Sequence, residues 1–309
     1  MRPDRLFGET WRDELPDGLR LIDLPQPIRG FSSFISAWFF VDIEGRRVLV
    51  DPGPASSVRA LVDELSGITD GLDLILLTHI HLDHSGGIGQ LCERYPDAKV
   101  VVHPRGIKHL LSPEKLWDAS LRTLGEVAET YGAPSPLNPD SLADGGISGF
   151  EILETPGHAP HHLSFIVPYP GGRLFFVGEA AGLRLPVYSE SGLPYLRPAT
   201  PPKFDGPAAR DSLSKIGRAL CGGEILCYSH WGLSRQPEDM IRFAGEQLDR
   251  WSSVVSGMAG LPEEAVVRRL ISSDPLLSEY KNLPGDLRFR ERIFIANSVR
   301  GLRNFGNVK

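Results

Sequence analysis

Hydrophobic positions along this chain follow two periods in turn. Short apolar runs at 19–23, 37–41 and 47–51, the last two separated by Glu44-Gly45, read as strands. Ser56-Ser57 then precede Val58, Leu61, Val62 and Leu65, the i, i+3, i+4, i+7 spacing of one helix face. A strand at 72–78, a helix at 89–95 and a strand at 98–103 continue the alternation. That rhythm predicts a layered α/β architecture and not a helix bundle.

Residues 105–132 interrupt it with two helical segments. The second runs from 113 to about 131 and sets Leu116, Leu121, Leu124 and Val127 on a similar face. An insertion of this kind at a domain edge is the sort of element that closes over a site as a lid. Beyond a proline-rich stretch at 134–139, strands are predicted at 150–154, 163–167 and 174–177. Residues 180–206 are rich in proline and show no regular period, so they read as a long loop, and loops of that length usually serve a site. A helix at 207–220, a strand at 225–228 and helices at 237–258, 262–272 and 287–303 complete the chain. The expected organisation is a catalytic unit over residues 1–236, carrying the 105–132 insertion and the 180–206 loop, followed by a helical C-terminal extension over 237–309.

Composition narrows the function without naming it. The 309 residues are 41% hydrophobic, 23% charged and 8% aromatic, ordinary values for a globular protein with a substantial core. A formal charge of -6 leaves no basic excess to neutralise phosphates, which disfavours nucleic acid as a partner. Three cysteines, Cys92, Cys221 and Cys227, are too few and odd in number for a disulfide framework. No apolar span reaches the ~18 residues of a membrane crossing, and Met1-Arg2-Pro3-Asp4-Arg5 has no signal core, so a cytoplasmic protein off the membrane is expected.

The chemistry concentrates where the apolar run Leu74-Ile75-Leu76-Leu77 stops. It ends in Thr78-His79-Ile80-His81-Leu82-Asp83-His84, three imidazoles and a carboxylate on a turn fixed by a strand end. Such donors suit zinc, iron or manganese. Three further candidates also follow apolar strands: His158 in Thr155-Pro156-Gly157-His158, Glu179 after Phe176-Val177-Gly178, and His230 after Cys227-Tyr228-Ser229. The seven donors exceed the needs of one tetrahedral ion and suffice for two ions sharing a carboxylate.

The order His79-x-His81-x-Asp83-His84, Thr155-Pro156-Gly157-His158, Glu179, His230 resembles the metallo-β-lactamase fold superfamily of hydrolases, over about residues 17–235. The Thr-Pro-Gly-His element is more similar to the glyoxalase II and lactone-hydrolase branches than to the antibiotic-degrading enzymes. Val48-Leu49-Val50-Asp51-Pro52-Gly53 also matches the family's early strand and turn. The resemblance implies an αββα four-layer sandwich with two divalent ions, zinc foremost, between loop ends. His79, His81 and His158 would hold one ion, Asp83, His84 and His230 the other, and Glu179 would bridge them where the family usually has Asp. The implied activity is hydrolysis of a small-molecule ester, thioester or lactone by hydroxide generated at the metals, with Asp83 both ligating and handling the proton of the water.

Around that set, Asp51 and His162 are expected to orient ligands from behind, while His103 and His109 read as ordinary polar residues. In the 180–206 loop, a phenol of Tyr188 or Tyr195 could donate to an oxyanion and Arg184 or Arg197 could hold a substrate carboxylate. The C-terminal helices either cover the pocket or form a homodimer interface. Two other functions share the scaffold. A mononuclear iron oxygenase resembling the persulfide dioxygenases would leave Asp83, His84 and His230 idle, and a ligand-binding protein without turnover would not need a complete ligand set.

Overall fold

The structure, a computed structural model, describes residues 15–306. Strands β1 (Arg20–Asp23), β2 (Ser36–Val41), β3 (Arg47–Val50), β4 (Leu74–Leu76) and β5 (Lys99–Val101) form a sheet in chain order. Its first two pairings are antiparallel and its last two parallel. The parallel half is buried on both faces. Val48, Val50, Leu74 and Leu76 point to one side, Leu49 and Ile75 to the other, which is why these strands read as continuous apolar runs.

Helices α1 (Val58–Ser66), α2 (Leu82–Ser85) and α3 (Ile88–Arg94) lie on the outer side of that sheet, where Leu61, Leu65 and Leu91 join Leu49 and Ile75. The 105–132 insertion is three helices, α4 (Pro104–Leu111), α5 (Glu114–Leu124) and α6 (Glu126–Tyr131). The long second helix expected from 113 to 131 is broken at Gly125, whose φ of 55° ends one helix and starts the next. Leu116, Leu121 and Val127 pack on the core as expected, but Leu124 is 40% exposed because the break turns it away.

The second sheet contains β6 (Glu151–Glu154), β7 (Leu163–Tyr169) and β8 (Gly172–Gly178). Residues 180–206 are not the loop that the prolines suggest. They hold an antiparallel ribbon, β9 (Leu183–Tyr188) and β10 (Pro194–Arg197). A two-stranded ribbon has only edges, so Pro186 and Pro194 interrupt no central ladder. Its arginines are buried beside its leucines, which erases the polar–apolar alternation that marks a strand. After α7 (Gly206–Ala219), β11 (Glu224–Tyr228) and β12 (Leu233–Ser234) complete the sheet in the order β12-β11-β8-β7-β6.

The sheets pack face to face through Trp38, Phe40, Val48, Leu76, Phe165, Val167, Leu174 and Phe176. The outer face of the second sheet, with Ile166, Phe175 and Leu226, is covered by α7, α8 (Pro237–Gly257), α9 (Glu263–Ser273) and α10 (Gly285–Gly306). The result is the expected αββα order. The segment expected as an extension from 237 onward shares one core with the second sheet, through Trp251, Val255, Leu270 and Ile295. Among the described residues no helix is long and apolar enough to cross a membrane, and all three cysteines are free.

Candidate metal centre

Strand ends deliver every candidate donor to one rim of the sandwich. His79 and His81 follow β4, Asp83 and His84 occupy α2, His158 lies in the β6–β7 turn, Glu179 follows β8 and His230 follows β11. Two groups of donor atoms result, His79, His81, His158 and Glu179 in one and Asp83, His84 and His230 in the other, each with its atoms within 4.8 Å of one another. Glu179 lies between them. Its Oε2 is 2.8 Å from His158 Nε2, 3.3 Å from His79 Nε2 and 3.6 Å from His84 Nε2, while Oε1 is 3.6 Å from His230 Nε2. Asp83 Oδ2 is 3.6 Å from both His84 Nε2 and His230 Nε2.

The hydrogen bonds behind the rings fix which nitrogen faces inward. His158 Nδ1 donates to Ala199 O at 3.0 Å, His230 Nδ1 to Phe34 O at 3.2 Å and His84 Nδ1 to Asp51 Oδ2 at 3.2 Å. Thr78 Oγ1 gives its proton to Asp51 Oδ2 and so accepts from His79 Nδ1, at 2.7 and 3.0 Å. With those protons assigned by the network, four Nε2 lone pairs point into the site. His81 Nδ1 sits 3.1 Å from His79 Nε2 and 3.0 Å from His158 Nε2. One proton on His81 can serve only one of those contacts, and His84 Nε2 is buried without a partner. Crowded inward lone pairs beside two carboxylates are the donor chemistry of a cation site, so the residues fit divalent metals.

Electrostatics divide the rings: against the effect of burial, Asp83, Asp51 and Glu179 hold His84 well above the ordinary histidine value and Glu179 raises His158, the pull of carboxylates toward a cation at these positions. Burial and the neighbouring histidines hold His79 and His81 well below the ordinary histidine value, and burial takes His230 down to about 3, so these rings are neutral and able to ligate. Burial opposes the charge of Glu179, but His158 and His230 outweigh it and keep the carboxyl well below its usual range.

Asp51 and His162 stand behind the donors. Asp51 accepts from Thr78 N at 2.8 Å, from Thr78 Oγ1 and Ser229 Oγ at 2.7 Å each, and from His84, tying the ends of three strands to one carboxylate. Its own φ is 52°, an uncommon conformation for a non-glycine residue that these bonds enforce. His162 Nε2 accepts from Glu179 N at 3.1 Å, and its Nδ1 meets Thr155 Oγ1 at 2.8 Å. Gly178 must lack a side chain, because a Cβ there would lie 2.4 Å from His162 Nε2 at a φ of 57°. Asp51→Asn, similar in shape but offering amide hydrogens to donors, is expected to weaken metal binding about 10–100-fold. Competition with a colorimetric chelator measures this, and unchanged affinity would remove Asp51 from the site.

The four candidate substrate contacts are placed differently from the expectation. Arg184 is buried and donates to Tyr188 Oη at 2.5 Å, with Tyr188 47% exposed. Tyr195 and Arg197 are buried and both bind Glu291 of α10, at 3.3 and 2.6 Å. Three of these side chains therefore hold the β9–β10 ribbon and present no open surface to a substrate. Two residues near the site carried no sequence signal. Tyr131, at the end of α6, is buried, and its phenol is pushed well up by burial and by the charges of Asp83 and Glu179. Phe34 stacks on His230 with ring centroids 4.2 Å apart. His161 lies 6.1 Å from the His81 ring with its Nδ1 buried and unpartnered, while His103 meets Glu154 at 3.7 Å.

An αββα sandwich with a carboxylate between two sets of inward imidazoles is the arrangement of a metal-binding hydrolase. Residues 33–219 match the model of the metallo-beta-lactamase superfamily, and the chain belongs to that family. It is 29% identical over 198 residues to a metallo-beta-lactamase fold-containing protein of Sulfurisphaera tokodaii, covering 60% of this chain and 69% of that one. It is 31% identical over 144 residues to a hydroxyacylglutathione hydrolase of Stenotrophomonas maltophilia, covering 46% of each chain, so the match spans less than half of that relative. Among solved structures, an archaeal superfamily protein from Sulfolobus tokodaii superposes with a TM-score of 0.63 at 24% identity, over 94% of this chain and 99% of that one. A family protein from Thermus thermophilus gives 0.57 at 20% identity, over 92% and 94%. At these identities the structures show the shared fold alone.

Proposed function

We propose that this protein is a metal-dependent hydrolase that cleaves an ester, thioester or lactone of a small molecule, using two divalent ions. Zinc is the leading metal, with iron or manganese as alternatives. The observation that supports it most directly is the pinned tautomers: four outer acceptors fix four Nδ1 protons, and the freed Nε2 atoms converge beside Glu179. His79, His81 and His158 would hold one ion, Asp83, His84 and His230 the other, with Glu179 between them. Two such ions lower the pKa of a water towards about 7 and polarise a carbonyl oxygen.

The chain's own groups supply the rest. Asp83 keeps 19% of its side chain exposed, which suits it to orient the attacking water and take its proton at Oδ. The buried walls of Tyr131, Phe34 and Ala199 exclude bulk water and strengthen each charge inside. Among bond types, the hydroxyacylglutathione hydrolase relatives favour a thioester.

Elemental analysis with a panel of acyl thioesters, lactones and aryl esters tests the reading. About two zinc-type ions per chain and turnover abolished by chelation are expected. About one iron per chain with oxygen consumption on a persulfide would instead establish the oxygenase.

A further inference from the structure

We infer that the C-terminal helix α10 is a working part of the metal centre: Arg290, held by Glu291, clamps Phe34 against His230 and so sets the affinity of the ion that His230 would hold. This rests on the two-metal reading and adds positioning residues to it.

The geometry is a stack of three planar groups. The Phe34 ring lies nearly parallel to the His230 imidazole, at 14° and 4.2 Å, and the Arg290 guanidinium carbon sits 4.5 Å from the centre of the same phenyl ring. Phe34 also accepts the His230 Nδ1 proton on its backbone oxygen at 3.2 Å. One residue therefore fixes both the plane of the ring and its tautomer. Phe31 and Phe294 close on the same phenyl, each with centroids 5.1 Å away. Phe34 cannot shift without disturbing His230.

Arg290 is fixed in turn. Its Nη1 donates to Gly30 O at 2.9 Å and its Nε to Glu291 Oε1 at 3.0 Å. The other oxygen of Glu291 takes Arg197 Nε at 2.6 Å, and Arg197 covers the Phe294 ring at 4.6 Å. All three charged side chains are buried. Gly30 lets α10 approach: a Cβ there would fall 2.5 Å from Asp286 O and 2.8 Å from Arg290 Cβ, at a φ of 85°. A buried cluster of two guanidinium groups and one carboxylate is an expensive way to pack a helix, since apolar residues of similar volume often do as well or better. It does give a flat cation of fixed orientation behind Phe34.

Two variants test this by metal binding, independently of turnover. Arg290→Met keeps an apolar stem and leaves Glu291 paired with Arg197, a balanced buried pair, so the fold is expected to survive. Phe34→Leu keeps the backbone oxygen and the apolar character but removes the stack. Each protein is loaded with zinc, dialysed against a competing chelator and assayed for zinc per chain and for stepwise displacement, with circular dichroism checking the fold. One of the two displacement steps should lose about 10–100-fold in affinity, taking retained zinc from about two to about one per chain, while the other step stays put. A disruption spread over the whole metal centre would weaken both steps together. Both variants keeping two ions at wild-type affinity would overturn the inference. A wild-type protein that never binds a second ion would overturn the two-metal reading and the inference together, a result visible before any variant is made.

Discussion

His81→Ala and Asp83→Asn are expected to lower hydrolytic turnover by at least about 10²-fold, because even residues one step behind a metal ligand are worth 10–100-fold. Metal content should fall with turnover. His81 Nδ1 lies 3.1 Å from His79 Nε2 and 3.0 Å from His158 Nε2, and removing it leaves the first group with two imidazoles and Glu179. Asp83 bridges towards His84 and His230, and the amide of Asn cannot supply its charge or accept the proton of the water. Stability should move differently. In the metal-free protein His81→Ala relieves lone-pair crowding at 3.0 and 3.1 Å, so its melting temperature should equal or exceed that of the wild type, whereas with zinc it should be lower. Unchanged turnover of every active ester, thioester or lactone in both variants would refute the metal mechanism.

The donors were legible in the sequence for a local reason. Each follows a short apolar run, so strand-end placement and chemical type can be read together without tertiary contacts. What orients the donors was legible only where it lay close to a motif, as with Asp51 and His162. Phe34 precedes its strand in a segment whose pattern says nothing of a partner 196 residues away. The tie between Arg197 and Glu291 crosses 94 residues, and periodicity identifies an apolar face without saying which surface covers it. The β9–β10 ribbon failed for a related reason. Burying Arg184 and Arg197 needs acceptors and rings from elsewhere in the chain, so a pattern that looks like a solvated loop is a strand once Tyr188, Glu291 and Phe294 are in place.

Asp274→Ala is expected to cost about 3–5 kcal/mol, because it strands several buried donors at once. Asp274 is buried between α9 and the 3-10 helix Pro275–Asn282, which it caps by accepting from Leu276 N at 3.1 Å. Its Oδ2 takes Gln247 Nε2 at 2.7 Å and Trp251 Nε1 at 2.5 Å from α8, and its Oδ1 takes Arg250 Nη1 at 3.0 Å. Gln247 also donates to Leu196 O at 2.7 Å, so the same carboxylate steadies β10 against the helical layer. Arg250 is one-third exposed and can turn to water, whereas Trp251 and Gln247 are fully buried and cannot, so most of the cost falls on those two donors. Asp274→Asn retains one carbonyl acceptor and should lose roughly half as much. Denaturant titration followed by tryptophan fluorescence would measure both, and a loss below about 1 kcal/mol for the alanine variant would show that the network carries little net energy. Asp274 bonds to none of the metal donors, to Phe34 or to Arg290. A folded Asp274→Ala protein should therefore keep both metal affinities while melting early, which separates loss of stability from the loss of one ion expected when the stack on His230 is broken.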